Sequence, residues 1–321
     1  MYDSITDVRG IKVGHYTNLN AARGCTVVIC EEGAVPGVDV RGSSPGTRET
    51  DLMRPMNQVD KVHAILLTGG SAFGLAAACG VVNYLEEHNI GYQTSIGKIP
   101  IVPAAVLFDL TIGDPKVRPG VAEGYEACKN ASCEKVEEGC VGAGTGAMVG
   151  HLFGPSRATK SGLGTASEVI SGDIVVAAIV AVNAFGDVID TKNRQVLAGV
   201  RKKDGKSFGN TIDYLKEGYG NNVNPANHTT IGVVATNAIL TKEQTNKMAQ
   251  TAHDGMARAI NPCHSMLDGD TIFALSLGDK QGNIVTIDAV AANVMERAII
   301  KAVNSATSLY NIPARHDIVG Q

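Results

Sequence analysis

The chain has 321 residues, 44% of them hydrophobic and 19% charged, with 37 Gly and no Trp, a composition that excludes a disordered or low-complexity protein and points to a core of small and branched aliphatic side chains. A formal net charge of -4 and a pI near 6.1 exclude the basic footprint of a nucleic-acid binder. The longest apolar run, Ile174 to Val182, is too short to cross a membrane and suits a buried strand.

The opening Met1-Tyr2-Asp3-Ser4 has neither a basic segment nor an apolar one behind it, so a cytoplasmic protein is expected. The seven cysteines, Cys25, Cys30, Cys79, Cys128, Cys133, Cys140 and Cys263, are odd in number and form no CxxC pair. Reduced thiols are therefore expected, with no zinc site and no other metal or cofactor.

In chain order, Thr26 to Cys30 reads as a strand, and the charged, glycine-rich segment from Gly33 to Asp51 as a loop. Val62 to Thr68 reads as a buried strand. A Gly69-Gly70-Ser71 turn follows, with Ser71 as N-cap of a helix over about Ala72 to His88. Gly97 to Leu110 is too rich in proline for a regular helix, and a helix is predicted from Val121 to Ala131. GCVGAGTGAMVG, from Gly139 to Gly150, fits a relaxed dinucleotide fingerprint but lacks the preceding strand and the following acid; Lys160-Ser161 lacks the spacing of a phosphate loop.

Ile174 to Val182 and Val188 to Ile189 read as a hairpin turning at Asn183-Ala184-Phe185-Gly186. Asn183 is then either a turn residue or a side-chain amide donor. Asn224, Pro225, Asn227 and His228 form a polar turn into a strand from Ile231 to Ala235, with Thr229 and Thr230 at its mouth. Thr241 and Gln244 form a capping box for a helix that presents Met248, Ala252, Met256 and Ile260 on one face and ends at Asn261-Pro262. Asp268 and Asp270 flank Gly269 before a strand from Ile272 to Leu277. Such a pair orients a nucleophile, holds a metal or simply makes a turn. Asn283 to Ile287 reads as the last strand, and Asp288 to Leu309 as a helix with a small apolar face. No repeat or linker divides the chain, so one domain spanning residues 1–321 is expected.

A threonine hydroxyl is a poor nucleophile at neutral pH unless a base removes its proton, and its own free α-amine is one such base. For Thr229 this demands that the bond after His228 be cut, giving fragments 1–228 and 229–321. The plain alternative is a turn entering a strand.

Eight stretches together carry a resemblance: GHYTN at Gly14, VRGSSPGTRETD at Val40, LTGGSAFGL at Leu67, IVPAAVLFDL at Ile101, GAGTGA at Gly142, VNAFGDV at Val182, HTTIGVVATNAILTK at His228 and MLDGDTIFAL at Met266. The chain resembles the L-aminopeptidase/D-esterase (DmpA-type) family of self-processing N-terminal-nucleophile hydrolases, which includes β-aminopeptidases and nylon-oligomer hydrolases. The resemblance implies an α/β fold, a four-layer αββα sandwich of the DmpA/ornithine-acetyltransferase type, and hydrolysis of short peptides, amides or esters at their N-terminal residue through a Thr acyl-enzyme. It implies Thr229 as nucleophile, Asn183 as oxyanion donor, Asp268 and Asp270 as orienting carboxylates, and a homotetramer or larger homo-oligomer. Relatives carry Gly or Asn where this chain has His228, some carry Lys at the position of catalytic-site His151, and some carry Tyr where substrate-facing Phe108 stands. The alternatives are an unprocessed, non-catalytic binding or assembly protein, and an acetyltransferase.

Overall fold

The computed structural model describes residues 1–222 and 228–319, so the turn expected around Asn224, Pro225 and Asn227 lies outside the described residues. Its main sheet system contains β1 (Lys12–Asn18), β2 (Arg23–Val40), β3 (Thr47–Arg48), β4 (Val62–Thr68), β5 (Ala104–Val106), β6 (Leu163–Ile170), β7 (Ile174–Asn183), β8 (Thr229–Ala238) and β9 (Thr271–Lys280). Helices α1 (Ala77–Glu87), α2 (Val121–Lys129), α3 (Lys242–Ala259) and α4 (Ile284–Asn304) cover it. Among the described residues, no helix is long and apolar enough to cross a membrane.

The strand order is β6-β7-β8-β9-β2-β4-β5-β3, with β1 also paired to β2. One long strand serves both halves. Residues 25–29 of β2 pair with β4, whereas residues 35–40 pair with β9, and the register against β4 slips between Ile29 and Ala34. The chain thus passes from one sheet to a second that lies against it.

Side-chain alternation then builds three apolar layers. Ile179, Val233 and Phe273 of the β6–β9 sheet meet Val28, Ile65 and Leu67 of the other between the sheets. Val176, Val180, Val234 and Ile272 point the opposite way, onto Met248 and Met256 of α3 and Val294 and Met295 of α4. Val27, Ile29 and Leu66 face Val81 and Leu85 of α1 and Ala127 of α2. Helices, sheet, sheet and helices make the four-layer αββα sandwich. A strand covered on both faces must be apolar at every position, which accounts for the unbroken run of β7.

Thr241 caps α3 as its sequence signature predicts: its side chain accepts from the Gln244 N–H at 3.3 Å, and Gln244 Oε1 accepts from the Thr241 N–H at 3.0 Å. Small residues let α3 and α4 touch. A Cβ on Gly255 would lie 2.0 Å from the Ala292 carbonyl oxygen, so only glycine permits this approach.

Several expectations change. Gly33 to Val40 is strand, because β9 supplies a partner to a segment whose Gly33, Pro36 and Gly37 read as loop. Ser71 does not cap a helix: it has φ 56° and opens a 3-10 stretch, Ser71–Ala76, ahead of α1. The expected hairpin at Asn183 does not form, since β7 pairs with β6 and β8 while Asp187–Ile189 pairs with Val196–Ala198 and Ile260–Asn261. Asn283 to Ile287 is no strand. The Asn283 side chain accepts from the Val285 and Thr286 N–H groups at 2.9 and 3.3 Å, and this cap converts a β-branched run into the first turn of α4.

Candidate active site

Strand direction gathers the candidate residues. β7 and β8 are antiparallel, with Asn183, the last residue of one, directly opposite Thr229, the first of the other. β8 and β9 are parallel, so the residues leading into β9 lie beside those leading into β8. His228 accordingly bridges to Asp268, and the Gly269 N–H donates to the His228 carbonyl at 3.1 Å. Thr229, Asn183, Asp268 and Asp270 all meet here.

Thr229 is 5% exposed, and its hydroxyl donates to the His228 carbonyl oxygen, the carbonyl of the peptide bond preceding it. Gly269 lies directly beneath that hydroxyl. A Cβ there would come within 2.8 Å of Thr229 Oγ1 and 2.5 Å of the Ser44 carbonyl oxygen.

The two carboxylates have different duties. Asp270 Oδ1 accepts from the Thr230 N–H at 2.8 Å, while Oδ2 accepts from the His264 N–H at 3.2 Å and contacts His264 Nδ1 at 2.8 Å. Asp268 Oδ2 accepts from the Ser265 hydroxyl at 2.5 Å and the Ser265 N–H at 3.0 Å, and Oδ1 from the Phe185 N–H at 3.3 Å. Burial, and after it the negative charge of Asp270, raises the Asp268 pKa; the bonds from Ser265 and Phe185 restrain the rise.

Asn183 is locked by its own amide. Oδ1 accepts from the Met148 N–H at 3.1 Å and Nδ2 donates to the Phe108 carbonyl at 3.0 Å. Phe108 therefore ties Asn183 to the wall of a cavity of about 130 Å³ that Ser44, Pro45, Ser71, Val106, Phe108 and Thr229 help to line. The Gly70 N–H donates to Asp109 at 2.8 Å, which fixes the backbone entering Ser71. Asp109 is buried beside Arg23, and burial pushes its pKa up to about 6.

His151 is buried, with Nε2 3.1 Å from the Met148 carbonyl and its ring 4.5 Å from that of His228. Burial lowers its pKa to about 4, so the imidazole is neutral at pH 7. A fully buried lysine lies a few residues on: Lys160 Nζ donates to the carbonyls of Ala147 and Ser161 at 2.8 and 2.7 Å, bracing the turn that presents Met148 to Asn183.

Sequence reading missed Ser265, His264, Gly269 and Asp109. The first two stand in NPCHS just ahead of the Asp-Gly-Asp turn, a run with no spacing that marks a known site type. Asp109 is separated by about forty positions from the glycine it holds.

Comparison with known proteins places the fold and the family. An uncharacterized aminopeptidase of Mycobacterium leprae is 41% identical over 355 residues, covering 97% of this chain and 92% of the relative. A 6-aminohexanoate-oligomer endohydrolase of Agromyces sp. is 30% identical over 312 residues, covering 92% of this chain and 84% of the relative. The solved L-aminopeptidase D-Ala-esterase/amidase of Ochrobactrum anthropi, described as a variant of the Ntn hydrolase fold, superposes with a TM-score of 0.76 at 20% identity, covering 98% of this chain and 89% of that one. A Burkholderia sp. β-aminopeptidase superposes at 0.71 and 22% identity, covering 98% and 90%; at such identities the likeness speaks for the fold. Residues 3–316 match the model of Peptidase family S58, and with relatives of this identity and coverage the chain belongs to that family.

Proposed function

We propose that the protein is a self-processing N-terminal-nucleophile amidohydrolase that releases N-terminal residues from short peptides, amides or esters. One observation carries the reading: the Thr229 hydroxyl lies against the carbonyl of His228, whose oxygen also receives the Gly269 N–H.

In the first reaction, Thr229 Oγ attacks the His228 carbonyl carbon and the oxygen becomes an oxyanion facing the Gly269 N–H. The C–N bond breaks, nitrogen takes the hydroxyl proton, and an ester links His228 to Thr229 Oγ. Water hydrolyses that ester. The His228 carboxylate and the Thr229 α-amine are released.

In the mature site the amine, with an ordinary pKa of about 7.7–8.0, takes the Oγ proton as Oγ attacks a substrate carbonyl. Asn183 stabilises the oxyanion, the amine returns its proton to the leaving group, and water resolves the acyl-enzyme. Asp270, held on the neighbouring Thr230 N–H, and Asp268 orient the amine and hydroxyl. The small cavity with Phe108 on its wall favours a compact N-terminal residue. A homo-oligomer accompanies this reading as part of the proposal.

The test is the chain itself. Dividing 33.4 kDa in the ratio 228 to 93 gives fragments of roughly 24 and 10 kDa, the smaller beginning Thr229-Thr230-Ile231. Purified protein is expected to show both by mass spectrometry and to release p-nitroaniline from alanine or β-alanine anilides, whereas Thr229→Ala shows neither. Active material consisting only of the intact chain, or a Thr229→Ala protein that still splits, refutes the proposal.

A further inference from the structure

Asp270 has a second set of neighbours that peptide hydrolysis does not call upon. Its Oδ2 lies 3.7 Å from Cys263 Sγ and 2.8 Å from His264 Nδ1, and those two atoms are 3.5 Å apart. Zinc bonds of about 2.3 Å to sulfur and 2.0–2.2 Å to nitrogen and oxygen, set at tetrahedral angles, place such ligand atoms about 3.3–3.6 Å from one another. The sulfur–imidazole spacing lies in that range, the sulfur–carboxylate spacing exceeds it by about 0.1 Å, and the third opens by about half an ångström once a cation replaces the hydrogen bond between ring and carboxylate. Thiol, imidazole and carboxylate together are the donor set of a borderline-soft dication. Cys263 and His264 are partly exposed while Asp270 is buried, so the triad is open to solvent on the cysteine and histidine side.

We propose that Cys263, His264 and Asp270 form an inhibitory site for a thiophilic divalent cation, Zn²⁺ above all. On binding, the Cys263 thiol proton leaves to solvent, the neutral His264 ring carries its proton on Nε2, and Nδ1, Sγ and Oδ2 each donate a lone pair to the metal. The His253 ring, 4.7 Å from that of His264 and inclined at 73° to it, braces the imidazole. Inhibition follows from position. Asp270 reaches the Thr230 N–H through its other oxygen, so a dication on Oδ2 draws the carboxylate away from the strand that begins at the nucleophile. It also opposes protonation of the Thr229 amine.

Binding stands independently of the hydrolytic reading, and only the inhibition rests on it. Co²⁺ titrated into metal-free, full-length protein is expected to give a thiolate-to-cobalt charge-transfer band at one equivalent, which Zn²⁺ bleaches and which Cys263→Ser lacks. His264→Gln is expected to weaken Co²⁺ binding at least tenfold, with thermal melting used to confirm that both variants are folded. Saturating Zn²⁺ is expected to slow anilide hydrolysis at least tenfold in the wild type, reversibly with EDTA, and to leave Cys263→Ser unaffected. A wild type without the band, a band that survives in Cys263→Ser, or Zn²⁺ bound at the site with hydrolysis undiminished overturns the proposal. Protein that binds Co²⁺ through Cys263 but never cleaves an anilide supports the metal site and sinks the hydrolytic reading instead.

Discussion

Gly269→Ala adds one methyl group beneath the Thr229 hydroxyl, the proposed nucleophile. The new carbon would begin 2.8 Å from Thr229 Oγ1 and 2.5 Å from the Ser44 carbonyl oxygen. Ordinary carbon–oxygen contact is about 3.4 Å, so roughly 0.6 Å must be found on the threonine side and more on the other. The Ser44 backbone yields little, because its N–H donates to the Asp268 carbonyl at 2.9 Å. The threonine hydroxyl must therefore move. Misplacement by about 1 Å costs roughly 10²-fold in a positioned reaction, so a shift of this size is expected to slow chain splitting by about 10- to 100-fold, with overpacking costing about 1–3 kcal/mol of stability. Splitting is followed on denaturing gels after a temperature or pH step, and stability by urea titration of the same sample. A Gly269→Ala protein that is folded and splits at the wild-type rate would show that the hydroxyl over Gly269 is not the group that attacks.

Three further outcomes are expected. Ser265→Ala removes a charge-assisted hydrogen bond of about 1.5–3 kcal/mol from ionised Asp268, so the acid limb of the kcat/KM profile moves up by about one pH unit or more; an unmoved limb would mean that Asp268 need not be ionised. Asn183→Ala strands the Met148 N–H and the Phe108 carbonyl and removes the proposed oxyanion donor, so stability is expected to fall by about 1–3 kcal/mol and kcat by about 10²–10³-fold; unchanged kcat in the folded variant counts against Asn183. His151, with its pKa lowered to about 4, stays unprotonated in the fold while the unfolded chain takes up a proton near pH 6.5. Stability is thus lost as pH falls from about 6.5 toward 4, by up to about 3 kcal/mol, and His151→Gln removes this contribution to the slope of urea-unfolding free energy against pH. An identical slope would contradict the buried neutral imidazole.

Local chemistry was legible wherever it acts within a few residues. The Thr241/Gln244 capping box, the apolar face of α3 and the buried run of β7 follow from spacing, because caps and periodicity are set by neighbours in sequence. Thr229 and the Asp268-Gly269-Asp270 turn were marked by residue type and position, and Asn183 by its place at a strand end, yet none of these signals says that they meet. Strand pairing decided that: an antiparallel partner puts Asn183 opposite Thr229, and a parallel one brings Asp268 alongside His228. The failed readings have the same origin. Asn183 pairs across to β8 and not within a hairpin, the Gly33 to Val40 part of the expected loop finds a strand partner in β9, and Asn283 to Ile287, β-branched enough to read as a strand, enters α4 because the Asn283 cap prevails. Backbone hydrogen bonds between distant segments leave no periodic trace in a sequence, so the chain alone marked its capped helix, its buried run and its candidate polar residues, while the tertiary fold decided which strands pair and hence that Asn183, Asp268 and Asp270 gather around Thr229.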